Sequence, residues 1–184
     1  GKNKPKKSKT VEAKIVLLGD SGVGKTALAT KYSEGYFPET SSVTLGGSYC
    51  RKELELENKG RIILNIWDTA GSERSRAMLP LYYRDSSAGL ITYDIGNERS
   101  FENIEYWSKE LSDKLDPNTY TIAIIGNKLD LPEDSKEVSF GIAHKFAKSK
   151  GYLFSEVSAK TGENIDEIFR EIAEKVYDIK TANS

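Results

Sequence analysis

Short apolar runs alternate with helical stripes along this chain. Ile15 to Leu18, Leu90 to Tyr93 (Thr92 its one polar member) and Ile122 to Ile125 are apolar stretches that stop at a Gly or an Asp. Runs without period-two alternation suit parallel strands buried on both faces. Between them, apolar residues recur at helical spacing at Phe101, Ile104, Trp107, Leu111 and Leu115, and again at Ile165, Ile168, Phe169, Ile172 and Val176. The alternation predicts βαβ units and an open α/β sheet. One segment differs: Leu54 and Leu56 alternate with Glu53, Glu55 and Glu57 before Asn58-Lys59-Gly60 and a second strand from Ile62 to Trp67. That pattern reads as a hairpin at a sheet edge.

Residues 1–10 carry five lysines, a proline and no apolar side chain, so they are expected to form a disordered basic tail, with the folded domain spanning 11–180 and a second tail starting at 181–184. The chain is 184 residues long and 38% hydrophobic, enough for one core. Its 27 basic and 28 acidic side chains nearly cancel, which offers no surplus for nucleic acid. A single cysteine, Cys50, cannot form an internal disulfide, and no apolar run of membrane-spanning length occurs. A monomer in a reducing, cytoplasmic compartment is the expectation.

After the first apolar run comes Gly19-Asp20-Ser21-Gly22-Val23-Gly24-Lys25-Thr26, followed through Ala27 by a helix-compatible stretch. This is a G-x-x-x-x-G-K-T pattern in a strand–loop–helix context. Glycines let successive backbone N–H groups curl around phosphate oxygens, and a helix N-terminus adds its positive dipole end. Lys25 supplies charge for the outer phosphates and the Thr26 hydroxyl can ligate magnesium. Such a loop binds a nucleoside triphosphate without choosing its base.

Two further strings end strands of the same sheet. Asp68, before Thr69-Ala70-Gly71, puts a carboxylate where a magnesium shell collects, with the Gly71 N–H available to a terminal phosphate. Taken alone, Asp68 would equally suit a helix N-cap. Asn127-Lys128-Leu129-Asp130 follows the Ile122–Ile125 run, and a carboxylate at 130 can accept both the N1–H and the exocyclic amine of guanine, a donor pair that adenine lacks. Ser158-Ala159-Lys160 follows an apolar stretch near Phe154 to Val157 and can bring a backbone N–H to the guanine carbonyl.

In this order and spacing the four strings resemble the Ras superfamily of small GTPases over residues 11–180. Trp67-Asp68-Thr69-Ala70-Gly71, Tyr82-Tyr83-Arg84 and Thr44-Leu45-Gly46 look most like the Rab family, and Thr44-Leu45-Gly46-Gly47-Ser48-Tyr49 is nearer to its endosomal branch. The resemblance implies a P-loop small G domain: six strands, mostly parallel with one antiparallel edge strand, and helices on both faces. It implies GTP or GDP with Mg2+, cycled by an exchange factor and a TBC-type activating protein. By position, Thr44 would close on magnesium and the third phosphate, and Phe37 would pack on the base. Lys25, Thr44 and Gly71 would serve hydrolysis, and Tyr49, Trp67 and Tyr82 would form the patch read by effectors.

The chain departs from that family at Ser72-Glu73, where the usual residues are Gln-Glu. The glutamine orients the attacking water, and a serine is too short to do so, which implies slow intrinsic hydrolysis. TBC-type activators bring both an arginine and a glutamine in trans, so switching can survive the change. Arg74 and Arg76 are read as switch surface, and Ser75 replaces a common aromatic. Thr181 to Ser184 contain no prenylatable cysteine, so cycling to the cytosolic face of an endomembrane is expected only if the full-length protein carries a prenylated C-terminal tail. Three functions compete: a regulatory GTPase of vesicle traffic, a GTP-locked scaffold, and a P-loop kinase, which Asp130 argues against.

Overall fold

The computed structural model describes residues 9–38, 48–69 and 79–183. Six strands, β1 (Lys9–Leu18), β2 (Ser48–Leu56), β3 (Gly60–Asp68), β4 (Ala88–Asp94), β5 (Thr121–Asn127) and β6 (Leu153–Glu156), form one sheet in the order β2-β3-β1-β4-β5-β6. Only β2 with β3 is antiparallel, running from Ser48 opposite Asp68 to Leu56 opposite Gly60. The remaining pairs are parallel. The helices among the described residues are α1 (Lys25–Glu34), α2 (Leu79–Tyr83), α3 (Glu98–Glu102), α4 (Ile104–Lys114), α5 (Phe140–Lys150) and α6 (Ile165–Ala182).

Side chains on a strand alternate between faces, so the unbroken apolar runs feed two cores at once. Ala13, Ile15 and Leu17 of β1 join Ile62, Leu64 and Ile66 of β3 beneath α1 and α6. Val16 and Leu18 point the other way and join Ile91, Tyr93, Ile122 and Ile124 with residues of α2, α4 and α5. Phe169 of α6 is fully buried and stacks on Tyr32 of α1, with ring centroids 3.9 Å apart and planes 9° from parallel. That contact fixes the helix that leaves the phosphate loop. On the second face of β2 and β3, Tyr49 and Trp67 are exposed, with their rings 5.1 Å apart.

The structure differs from expectation in three places. β1 starts at Lys9 rather than near Val11, because backbone pairing with Gly60 needs no apolar side chain. The Tyr177 hydroxyl of α6 pins that end by donating to the carbonyls of Lys9 and Lys59. The stripe from Phe101 to Leu115 is two helices meeting at Asn103, with Leu115 already extended. α6 continues past 180 to Ala182. His144 is exposed on α5.

Cys50, on β2, packs against the first core, and burial pushes its thiol up, with Asp68 and Glu34 adding to the shift and a hydrogen bond with Ser33 opposing it. A raised thiol holds less thiolate, the reactive form, at mild alkaline pH. At pH 8, alkylation of Cys50 is expected to run slower than that of a small model thiol and to reach the model rate in denaturant. Equal rates for the folded and unfolded chain would contradict this.

Candidate nucleotide-binding site

The carboxyl ends of β1, β3, β5 and β6 carry the four motif loops to one edge of the sheet. The phosphate loop turns at Gly19, Gly22 and Gly24, with φ of 136°, 85° and 97°. Side chains rarely adopt these values. A Cβ at Gly19 would strike the Thr92 carbonyl and one at Gly24 the Asn127 amide, whereas nothing lies within 4 Å of the Cβ position at Gly22. The loop is therefore pressed against β4 and β5 on one side and open on the other. α1 begins at Lys25 without a side-chain cap, which leaves its first N–H groups facing the loop.

Lys25 is only 3% exposed, and its Nζ donates to the carbonyls of Gly19 at 2.7 Å and Asp20 at 2.9 Å. This places a cation at the loop mouth, suited to an anionic ligand. The Thr26 hydroxyl donates to Asp68 Oδ2, and Asp68 is buried at the end of β3. Thr69 Oγ1 donates to the Leu17 carbonyl at 2.7 Å and so ties this strand end to β1. A hydroxyl beside a carboxylate is the hard-oxygen pair that Mg2+ accepts. Among the described residues no three His, Cys, Asp or Glu gather to hold a metal. A metal here would need phosphate and water oxygens to complete its shell.

Asn127 joins the halves of the site. Its Nδ2 donates to the Val23 carbonyl in the phosphate loop, and its Oδ1 accepts the Ala159 N–H, both at 3.0 Å. Lys128 adopts the left-handed backbone, φ 73°, and its Nζ reaches Asp94 Oδ2 at 2.7 Å and the Gly22 carbonyl at 3.2 Å. Asp130 is exposed, with Oδ1 accepting the Ser158 hydroxyl at 2.7 Å, while Ser158 Oγ also accepts the Thr161 N–H. A carboxylate steadied through one oxygen leaves the other for a ligand. Ser21 and Lys160 are exposed, Ala27 lies in the first turns of α1, and Phe37 is 40% exposed beyond Gly35.

Two side chains of the motif strings turn to other parts of the protein. The Asp20 side chain turns away from the loop mouth and accepts hydrogen bonds from Asn103 and Trp107. Lys128 uses its ammonium to brace the phosphate loop. Asp94, Asn103 and Trp107 were absent from the candidate residues. Asp94 ends β4 as Asp68 ends β3, and that parallel was the available signal. Thr44, Gly71 and Ser72 lie outside the described residues, together with Ala70, Arg74, Ser75 and Arg76. Of the aromatic trio, Tyr49 and Trp67 touch, and Tyr82 is half-buried against the second core. Lys14 Nζ stands 5.4 Å from the Trp67 ring centroid.

A glycine-lined phosphate loop, an adjacent hydroxyl–carboxylate pair and an acidic side chain steadied by Ser158, all at one edge of a mostly parallel sheet, define a P-loop small G domain. The Ras family model matches residues 14–178. The chain is 40% identical over 172 residues to "Ras-related protein Rab-5B" of Plasmodium falciparum, spanning 94% of this chain and 81% of that protein. It is 41% identical over 169 residues to "Ras-related protein Rab-5A" of Dictyostelium discoideum, covering 92% and 83%. "GTP-binding protein ypt5" of Schizosaccharomyces pombe is 38% identical over 172 residues, covering 94% and 81%. The chain belongs to the Ras family and, within it, to the Rab small GTPases of the endosomal branch. Proteins of this family bind guanine nucleotide, generally with Mg2+, and act in membrane trafficking. Among the described residues no helix is long and apolar enough to cross a membrane.

Asn127 makes both of its cross-loop bonds while almost fully buried, so its truncation leaves the Val23 carbonyl and the Ala159 N–H without these partners at a cost of about 1–3 kcal/mol each. Asn127→Ala is expected to speed GDP release by at least about tenfold in a mant-GDP chase. An unchanged release rate would show that the loops are held independently.

Proposed function

We propose that this chain is a Rab-type switch that binds GTP or GDP with Mg2+, regulates vesicle trafficking and recruits effectors in the GTP state. The observation that carries the reading is Asp130, steadied by Ser158 beside the Asn127 link to the phosphate loop. In that position it can pair with both donors of guanine, and adenine would leave it facing an acceptor edge. Sites built to hydrogen-bond a ligand's polar groups reject an analogue that leaves their own groups unpaired by about 10⁴-fold or more. Competition against labelled GDP is expected to show GTP displacing it and ATP failing at a thousandfold excess, about 10³-fold being a lower bound. Displacement by ATP at parity would defeat the reading and revive the kinase alternative.

In the switch itself, the Gly19–Thr26 amides and Lys25 hold the phosphates, while Thr44 and Gly71 close on the third phosphate and open once it is gone. Phe37 covers the base. Bound Mg2+, held by Thr26, Asp68 and Thr44, would offset the negative charge that builds on the phosphates during hydrolysis. Tyr49, Trp67 and Tyr82 present the effector surface, and the exposure of Tyr49 and Trp67 supports that role. The expected partners are an exchange factor, a TBC-type activator and effectors, none of them nucleic acid. The chain acts as a monomer in the cytosol and cycles to the cytosolic face of an endomembrane if the full-length protein is prenylated.

Ser72 sits where a water-orienting glutamine would stand, and it favours a second reading in which the domain remains GTP-loaded as a scaffold. Intrinsic single-turnover hydrolysis is expected below about 10⁻⁴ per second, with Ser72→Gln faster. Equal rates for the two proteins would sink the role given to position 72. A TBC-type activator that supplies its own glutamine should restore turnover to a switch and leave a scaffold loaded.

A further inference from the structure

The only acidic side chain in the phosphate loop, Asp20, raises a physical problem for a loop that binds phosphate. A carboxylate free to swing into the loop mouth would oppose every phosphate charge, and that opposition grows with each phosphate added. Two donors on the α3–α4 joint hold it elsewhere. Asn103 Nδ2 donates to Asp20 Oδ2 at 2.6 Å, and Trp107 Nε1 donates to Asp20 Oδ1 at 3.1 Å. Each oxygen is thus claimed by a different donor, and bonds to an ionised acceptor are stronger than neutral ones.

The donors are themselves fixed. Asn103 has helical backbone angles, φ −76° and ψ −7°, and its carbonyl accepts the Trp107 N–H at 3.2 Å. Residues four apart on a helix share a face, so the amide and the indole reach Asp20 side by side. Trp107 is 5% exposed, within the second core, and its indole N–H would lose this acceptor if Asp20 swung away. Meanwhile the main-chain carbonyl of Asp20, with that of Gly19, holds Lys25 Nζ. One residue therefore grips α4 with its side chain and aims the phosphate-binding lysine with its carbonyl.

We propose that Asn103 and Trp107 are positioning residues for nucleotide binding: they hold the Asp20 carboxylate away from the phosphates and set the carbonyl that orients Lys25. The proposal rests on the reading of residues 19–26 as the phosphate site. Neither residue lies in the phosphate loop, and each acts through Asp20. Their effect is carried by charge, so it scales with phosphate number and depends on the ionised state of residue 20.

The test is a double-mutant cycle. Trp107→Phe keeps the ring and loses the donor, Asn103→Ala loses the amide, and Asp20→Asn removes the charge while keeping an oxygen acceptor. Affinities for GTP, GDP and GMP come from competition against mant-GDP, with thermal melts confirming the fold. The Trp107→Phe/Asn103→Ala pair is expected to weaken GTP by about tenfold, GDP less and GMP by under about twofold, and Asp20→Asn in the same chain should restore most of the loss. If the double variant does not fold, Asn103→Ala alone carries the same comparison with a smaller loss. Equal losses across the three nucleotides, or no restoration by Asp20→Asn, would overturn the proposal and leave the trio as scaffold. A wild-type protein that fails to bind GDP would instead bring down the nucleotide reading and this proposal with it, an outcome visible before any variant is made.

Discussion

The site depends on the side chain of Asn127. Through one amide group it binds the Val23 carbonyl in the phosphate loop and the Ala159 N–H in the loop after β6. Three segments far apart in sequence are thereby held at one spacing, and a nucleotide has a fixed length between its base and its phosphates. Preorganisation of this kind lowers the ordering cost of binding. Gly24 is the complement of that contact, because any side chain there would occupy the space of the Asn127 amide.

The sheet makes the contact possible. Parallel strands end on one side, so the loops after β1, β3, β5 and β6 meet without long connections. The two cores fix strand positions from both faces, and the Tyr32–Phe169 stack holds α1 against α6. The same architecture leaves Tyr49 and Trp67 exposed on the outer face of β2 and β3.

Much of this was legible in the sequence. The four-residue apolar runs marked strands buried on both faces, and the alternation of Leu54 and Leu56 with glutamates marked the antiparallel edge. Gly19 to Thr26, Asp68 and Asn127 to Asp130 were readable because their chemistry depends on short local spacing. What was not legible depends on which way a side chain turns and on contacts made across the chain. Asp20 meets Asn103 and Trp107 at separations of 83 and 87 residues, so no local pattern announces the pair. Nothing in the local pattern announces the left-handed backbone of Lys128, which sends its ammonium toward Asp94 and Gly22. Lys9 and Thr10 read as tail because their strand is held by backbone pairing and the Tyr177 hydroxyl, which leave no apolar trace.

A single cradle locked by Asn127 should respond to its ligand as a unit. Amide hydrogen exchange of the purified protein, followed before and after adding GDP with Mg2+, measures this most directly. Slowing of exchange together in residues 20–28, 127–130 and 158–161, with ADP producing none of it, is the expected result. Protection confined to residues 20–28, or the same protection with ADP, would contradict the account.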